Sequence, residues 1–94
     1  MNSKDIDFMK TFFLGLENKG VNINQKNIFY IHVLRNAIRS FYGVSRDKTV
    51  TDKLKHLIDE GMFEFVGLDI MLTEHAKTRF KAGYKAWRKV YKHQ

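Results

Sequence analysis

The sequence predicts a mainly α-helical fold carrying one small β hairpin, and three observations support that expectation. Apolar residues recur at helical spacing in four stretches of the 94-residue chain. Two adjacent runs, Met62 to Val66 and Ile70 to Thr73, alternate as paired strands do, with Gly67, Leu68 and Asp69 between them as a hairpin turn. The length suits one domain with a single modest core, and 44% hydrophobic residues are enough to fill it.

Taken in order, the first helix is expected over residues 4–18 with Ser3 as its cap. Ile6, Met9, Phe13 and Leu16 share one side, and Phe8 and Phe12 widen that face. Asn18-Lys19-Gly20 ends it. Val21-Asn22-Ile23 alternates and reads as a short strand beside the hairpin. Asn24 then caps a second helix over 25–41, whose buried stripe is Ile28, Ile31, Leu34, Ile38 and Phe41. Arg35 and Arg39 stand near its end, placed for phosphate contacts, or else solvated or paired with Asp59 or Glu60.

The third helix is expected over 48–60. Val50, Leu54, Leu57, Ile58 and Gly61 fall on one side, while Lys48, Thr49, Thr51, Asp52, Lys55, His56 and Asp59 face outward. Thr49 with Asp52 resembles a capping box, Asp47 is the alternative cap, and Gly61 is the stop. The hairpin over 62–73 follows. Its register is open between Phe63 and Phe65 facing inward and Met62, Glu64 and Val66 doing so. Glu64, Gly67, Leu68 and Asp69 bring no positive charge, so the hairpin reads as structural.

The last helix is expected over 76–92. Phe80, Tyr84, Trp87 and Tyr91 recur at offsets of 0, 4, 7 and 11, beside Lys77, Lys81, Lys85, Arg88, Lys89 and Lys92. Three roles compete for this helix. The rings pack on the first helix of the same chain or of a second copy; they stack single-stranded bases; or the helix rests on an anionic membrane. Core spacing favours the first. Four rings of roughly 150–250 Å² each exceed what one small domain covers, so a homodimer is expected, with Phe8, Phe12, Phe80, Tyr84, Trp87 and Tyr91 at its interface.

The net charge of +7 is unevenly placed. Residues 1–43 hold six Lys/Arg against three Asp/Glu, residues 44–74 hold four against seven, and residues 75–94 hold seven against none. A basic end of this kind attracts phosphate. There is no cysteine, which excludes a disulfide framework and a thiolate metal site. No 18-residue apolar run occurs and the start lacks the apolar core of a signal peptide, so a cytoplasmic protein without a membrane partner is expected. His32, His56, His75 and His93 are scattered, and no nucleophile setting or glycine-rich phosphate loop is present. The expectation is a non-enzymatic protein that needs no cofactor and no metal.

GVSRDKTVTDKLKHLIDEGMFEF, followed by DIMLTEHAKTRF, resembles the winged helix-turn-helix DNA-binding proteins, in particular their small MarR-like and PadR-like forms. The matching parts are the turn Gly43-Val44-Ser45, the helix with Val50, Leu54, Leu57 and Gly61, and the run Leu72-Thr73-Glu74 leading into a last helix. Thr49-Val50 stands one residue further from Gly43 than is usual there, and Ala76 replaces a common glycine, which points to an early start of the last helix. The resemblance implies a winged helix with an added C-terminal amphipathic helix, and a dimeric transcriptional regulator that reads duplex DNA with helix 48–60. Arg35, Arg39, Arg46, Lys48, Lys53, Lys55 and the basic residues Lys77, Lys81, Lys85, Arg88, Lys89 and Lys92 would meet phosphate. Thr49, Thr51, Asp52, Lys55 and His56 would meet base edges. The alternative is an accessory protein of replication or partition in a plasmid, phage or other mobile element, binding single strands or a protein partner. The richness in Lys, Asn, Ile, Phe and Tyr suits such an A/T-rich source.

Overall fold

The computed structural model describes residues 1–22 and 28–81. The elements run α1 (Ser3–Asn18), β1 (Ile28–Phe29), α2 (Ile31–Tyr42), α3 (Asp47–Asp59), β2 (Phe63–Val66), β3 (Asp69–Leu72) and α4 (Glu74–Lys81). The sheet is antiparallel with the order β1-β3-β2. The expected class therefore holds: a mainly helical domain with a small β-hairpin wing. Among the described residues no helix is long and apolar enough to cross a membrane.

Local boundaries differ from expectation in informative ways. Asn2, not Ser3, caps α1, its side chain accepting the Asp5 N–H at 2.9 Å. At the other end Gly20 has a φ of +78°, and the Val21 N–H donates to the Leu16 carbonyl at 3.0 Å. This closes a Schellman motif. Val21 is thus the hydrophobic partner of a helix cap, and neither it nor Asn22 is in a strand; Ile23, the third residue of the expected strand, lies outside the described residues. The third strand comes later, at Ile28–Phe29, which pair with Met71 and Ile70. The second helix accordingly starts at Ile31 and not at residue 25, because Ile28 and Phe29 satisfy their backbone across the sheet. The expected cap Asn24 lies outside the described residues.

Neither predicted cap serves α3, which follows Arg46 without a side-chain cap. Gly61, with a φ of +78°, does end it: the Met62 N–H donates to the Leu57 carbonyl at 3.0 Å. The last helix begins at Glu74, two residues earlier than 76, because the Thr73 hydroxyl accepts the Ala76 N–H at 3.0 Å. That hydroxyl in turn donates to the Gly61 carbonyl, tying the base of the hairpin to the end of α3.

One core joins all layers. Phe8, Met9, Phe12, Phe13 and Leu16 of α1 meet Leu34 and Ile38 of α2, Val50, Leu54 and Leu57 of α3, and Phe63, Ile70 and Leu72 of the sheet. Pairing of Phe63 with Leu72 and of Phe65 with Ile70 resolves the register: these four share the inward face, while Glu64 and Met71 lie on the other. Phe12 meets Phe63 edge-on at 5.4 Å, and Phe80 of α4 lies 5.9 Å from Phe13. Phe80 thus packs on α1 of its own chain, while Tyr84, Trp87 and Tyr91 of the same stripe lie outside the described residues. Phe8, Phe12 and Phe80, expected between two copies, lie in the interior of one chain and leave little surface for a second.

Candidate nucleic-acid interface

Helix α3 buries Val50, Leu54 and Leu57, and that stripe fixes which side chains face outward. Lys48, Thr49, Asp52, Lys55 and Asp59 are exposed on it, with exposed Arg46 just before its first turn. Arg46, Lys48 and Lys55 make no ion pair among the described residues. They are the cations this face offers to an anionic partner.

Other residues expected on DNA are tied into the domain. The Arg35 guanidinium donates to Thr51 Oγ1 at 3.0 Å and to the Asp47 carbonyl at 3.3 Å. Arg39 reaches Asp47 Oδ1 at 2.6 Å and Asn36 Oδ1 at 3.2 Å. Their partner is Asp47, not Asp59 or Glu60. Asp47 is 84% exposed, so this pairing is solvated and contributes only about 0–1 kcal/mol. It nevertheless orients both arginines along the start of α3 and lowers the charge they present.

The inner flank of α3 is held by a group that the sequence reading passes over. Asp5 of α1 is fully buried. Its Oδ1 accepts from the Tyr42 hydroxyl at 2.6 Å and from Lys53 Nζ at 3.2 Å, and His56 Nε2 stands 3.1 Å from its Oδ2. An ionised carboxylate only accepts, so Nε2 carries the proton in this pair. Lys53 Nζ also sits 4.7 Å from the centre of the Tyr42 ring. Burial pushes the Asp5 carboxyl up, but the Tyr42 hydroxyl, the Lys53 ammonium and the His56 ring outweigh it and hold it below the ordinary 3.8. Burial and the same carboxylate raise the Tyr42 phenol above its usual 10.0. Lys53 and His56, expected at phosphate and bases, therefore fasten α3 to α1 and α2.

The signal for Asp5 was present. It stands three before Phe8 and seven before Phe12, inside the apolar stripe of α1, where a carboxylate requires partners. Lys77 is another departure, because it is 5% exposed and lies 3.5 Å from Glu74, so little of it is open to phosphate. The side chain of Lys81 and all of Tyr84, Lys85, Trp87, Arg88, Lys89, Tyr91 and Lys92 lie outside the described residues. So does His93. Among the described residues no group of three or more His, Asp or Glu side chains is placed to hold a metal ion.

The wing ends in a two-residue turn. Val66 pairs with Asp69, and Gly67, with a φ of +61°, takes the first central position, as in a type II′ hairpin. Leu68 at the tip is 90% exposed and Phe65 is 57% exposed. No family model, curated protein or solved structure matches this chain.

Proposed function

We propose that this chain binds duplex DNA through the outer face of α3, as a non-enzymatic, homodimeric transcriptional regulator acting in the cytoplasm. One observation supports this reading above the others. A helix whose inner flank is fastened through Lys53 and His56 to Asp5 and through Thr51 to Arg35 presents Arg46, Lys48, Thr49, Asp52 and Lys55 to solvent. A pre-oriented helix loses little freedom on entering a major groove, and exposed cations along it replace counterions on phosphate. Lysine and arginine supply attraction, Thr49 suits a thymine methyl, and Asp52 suits a cytosine amine.

With Phe8, Phe12 and Phe80 inside one chain, Tyr84, Trp87 and Tyr91 are what remains of the expected dimer interface. A two-fold pair of α3 helices would read half-sites about 34 Å apart. Fluorescence anisotropy with the chain's own upstream duplex, random duplex and single strands at ~0.15 M salt tests the reading. Preference for one duplex supports it. Equal, weak binding to all three overturns it.

A second reading is favoured by the wing. Its exposed apolar tip and its carboxylates, Glu64 and Asp69, suit a protein partner better than phosphate, as an accessory protein of replication or partition would require. Preference for single strands, or binding to none of the three, selects that reading.

A further inference from the structure

Away from α3 the fold leaves an open groove of about 590 Å³ between α1 and α2. Its floor is Phe8, Phe12 and Leu16 of α1 with Val33, Ala37 and Phe41 of α2. On the helical wheel these α2 positions lie on the side away from Arg35 and Tyr42, which reach Thr51 of α3 and Asp5. The groove is therefore separate from the outer face of α3. Its floor is set by ring packing, because Phe8 meets Phe41 edge-on at 5.4 Å and Phe12 at 6.0 Å.

Gly15 lies on the same floor, and a Cβ added there would meet nothing within 4 Å. Glycine weakens a helix relative to alanine, and no neighbouring side chain requires it at this position. Its effect is to keep the groove deep. One end of the groove is cationic. Lys19, just past the end of α1, and His32, in the first turn of α2, both line it, and neither makes an ion pair among the described residues. The His32 ring is stacked on Tyr30, with centroids 5.5 Å and planes 12° apart. α2 begins at this end with neither a side-chain cap nor an acidic residue in its first turn, so the positive end of its dipole adds to the two side chains. Among the described residues no Asp or Glu lines the groove. At the far end Lys4 Nζ is engaged by the Phe41 ring, 4.8 Å from its centre.

We propose that this groove is a binding site for an amphiphilic anion, its acidic head at Lys19 and His32 and its apolar body, such as an acyl chain, lying over Gly15 toward Phe8 and Phe41. The volume falls within the range of small-ligand pockets, roughly 300–1,000 Å³, which combine a mostly apolar lining with a few polar anchors. From Phe8 to Lys19 the floor extends about 16 Å, at about 1.5 Å per helical residue. The long margins carry the uncharged Thr11, Asn36 and Ser40, so charge is concentrated at one end, as a single head group requires. A docked amphipathic helix would instead be met by charge along both margins. The site depends neither on DNA binding nor on a second copy of the chain.

Calorimetric titration of the full chain, free of DNA, with dodecanoate below its micelle concentration tests this. Dodecyltrimethylammonium, butyrate and anionic phospholipid vesicles are the comparison probes. Dodecanoate should bind one molecule per chain, and the matched cation and butyrate should bind about tenfold more weakly or worse. Lys19→Glu is expected to raise the dodecanoate Kd about tenfold, whereas Lys48→Glu, the same charge change on α3, should leave it unchanged. Gly15→Leu should fill the groove and remove binding without lowering the helical signal or the thermal midpoint. Binding that ignores the sign of the head group, survives Gly15→Leu, or falls equally with Lys48→Glu overturns the site. So does a chain that binds no dodecanoate, or that binds the vesicles alone.

Discussion

At the junction of α1, α2 and α3 a carboxylate is buried and both of its oxygens are occupied. At the tip of the β2–β3 wing apolar side chains are exposed, and the carboxylates beside them lack an ion-pair partner among the described residues. The two regions reverse the usual rule of apolar inside and charged outside, with opposite consequences. A buried ion is tolerated only when its partners are in place, so Asp5 makes the relative placement of three helices an all-or-none matter. Exposed Leu68 and half-exposed Phe65 add little to the core and leave apolar surface open to contact. The buried charge network lies behind α3, and the proposed recognition surface lies in front of it.

The largest effect should come from Asp5→Ala, which leaves Lys53 and the Tyr42 hydroxyl facing an emptied site. A loss of about 3–5 kcal/mol in urea unfolding is expected, and an unchanged midpoint would mean that Asp5 does not hold the three helices together. Because the folded-state pKa of Asp5 is depressed, its contribution is present above the ordinary 3.8 and is lost as pH falls below that value. The wild-type stability curve should carry this acid limb, and the Asp5→Asn curve should lack it.

Tyr42→Phe removes one hydrogen bond to a charged acceptor, for about 1.5–3 kcal/mol. The phenol is raised in the folded state, so its contribution holds below the ordinary 10.0 and is lost as pH rises above it. The variant should flatten that alkaline limb. Asp47→Ala should change stability by about 1 kcal/mol or less, since its pairs are solvated. It should tighten duplex binding severalfold by freeing Arg35 and Arg39, and weaker binding would instead mean that Asp47 is needed to aim them. Smallest of all, Leu68→Asn should stay within about 0.5 kcal/mol of wild type in thermal unfolding.

The same contrast explains how much of the molecule was legible in its sequence. Val50, Leu54 and Leu57, and the hairpin from Phe63 to Leu72, are local patterns, and periodicity alone locates them. β1 is two residues long, too short to alternate, and it is defined by pairing with Met71 and Ile70 more than forty positions away. No local pattern records that. Val21 shows the reverse error, since a helix cap and a strand start look alike over three residues. For the candidate interface, the exposure of Lys48, Thr49, Asp52 and Lys55 follows from the α3 stripe. The capture of Lys53 and His56 by Asp5, and of Arg35 and Arg39 by Asp47, depends on helix packing that one helix cannot reveal.

The central claim is that the outer face of α3 meets the phosphates of a duplex. Its most direct test is the salt dependence of duplex affinity for the wild type and for Arg46→Ala, Lys48→Ala and Lys55→Ala, with folding checked by circular dichroism. Each substitution should lower affinity and reduce the slope of log affinity against log salt by about 1. Three variants that retain wild-type affinity and slope on a duplex that the wild type binds would contradict it.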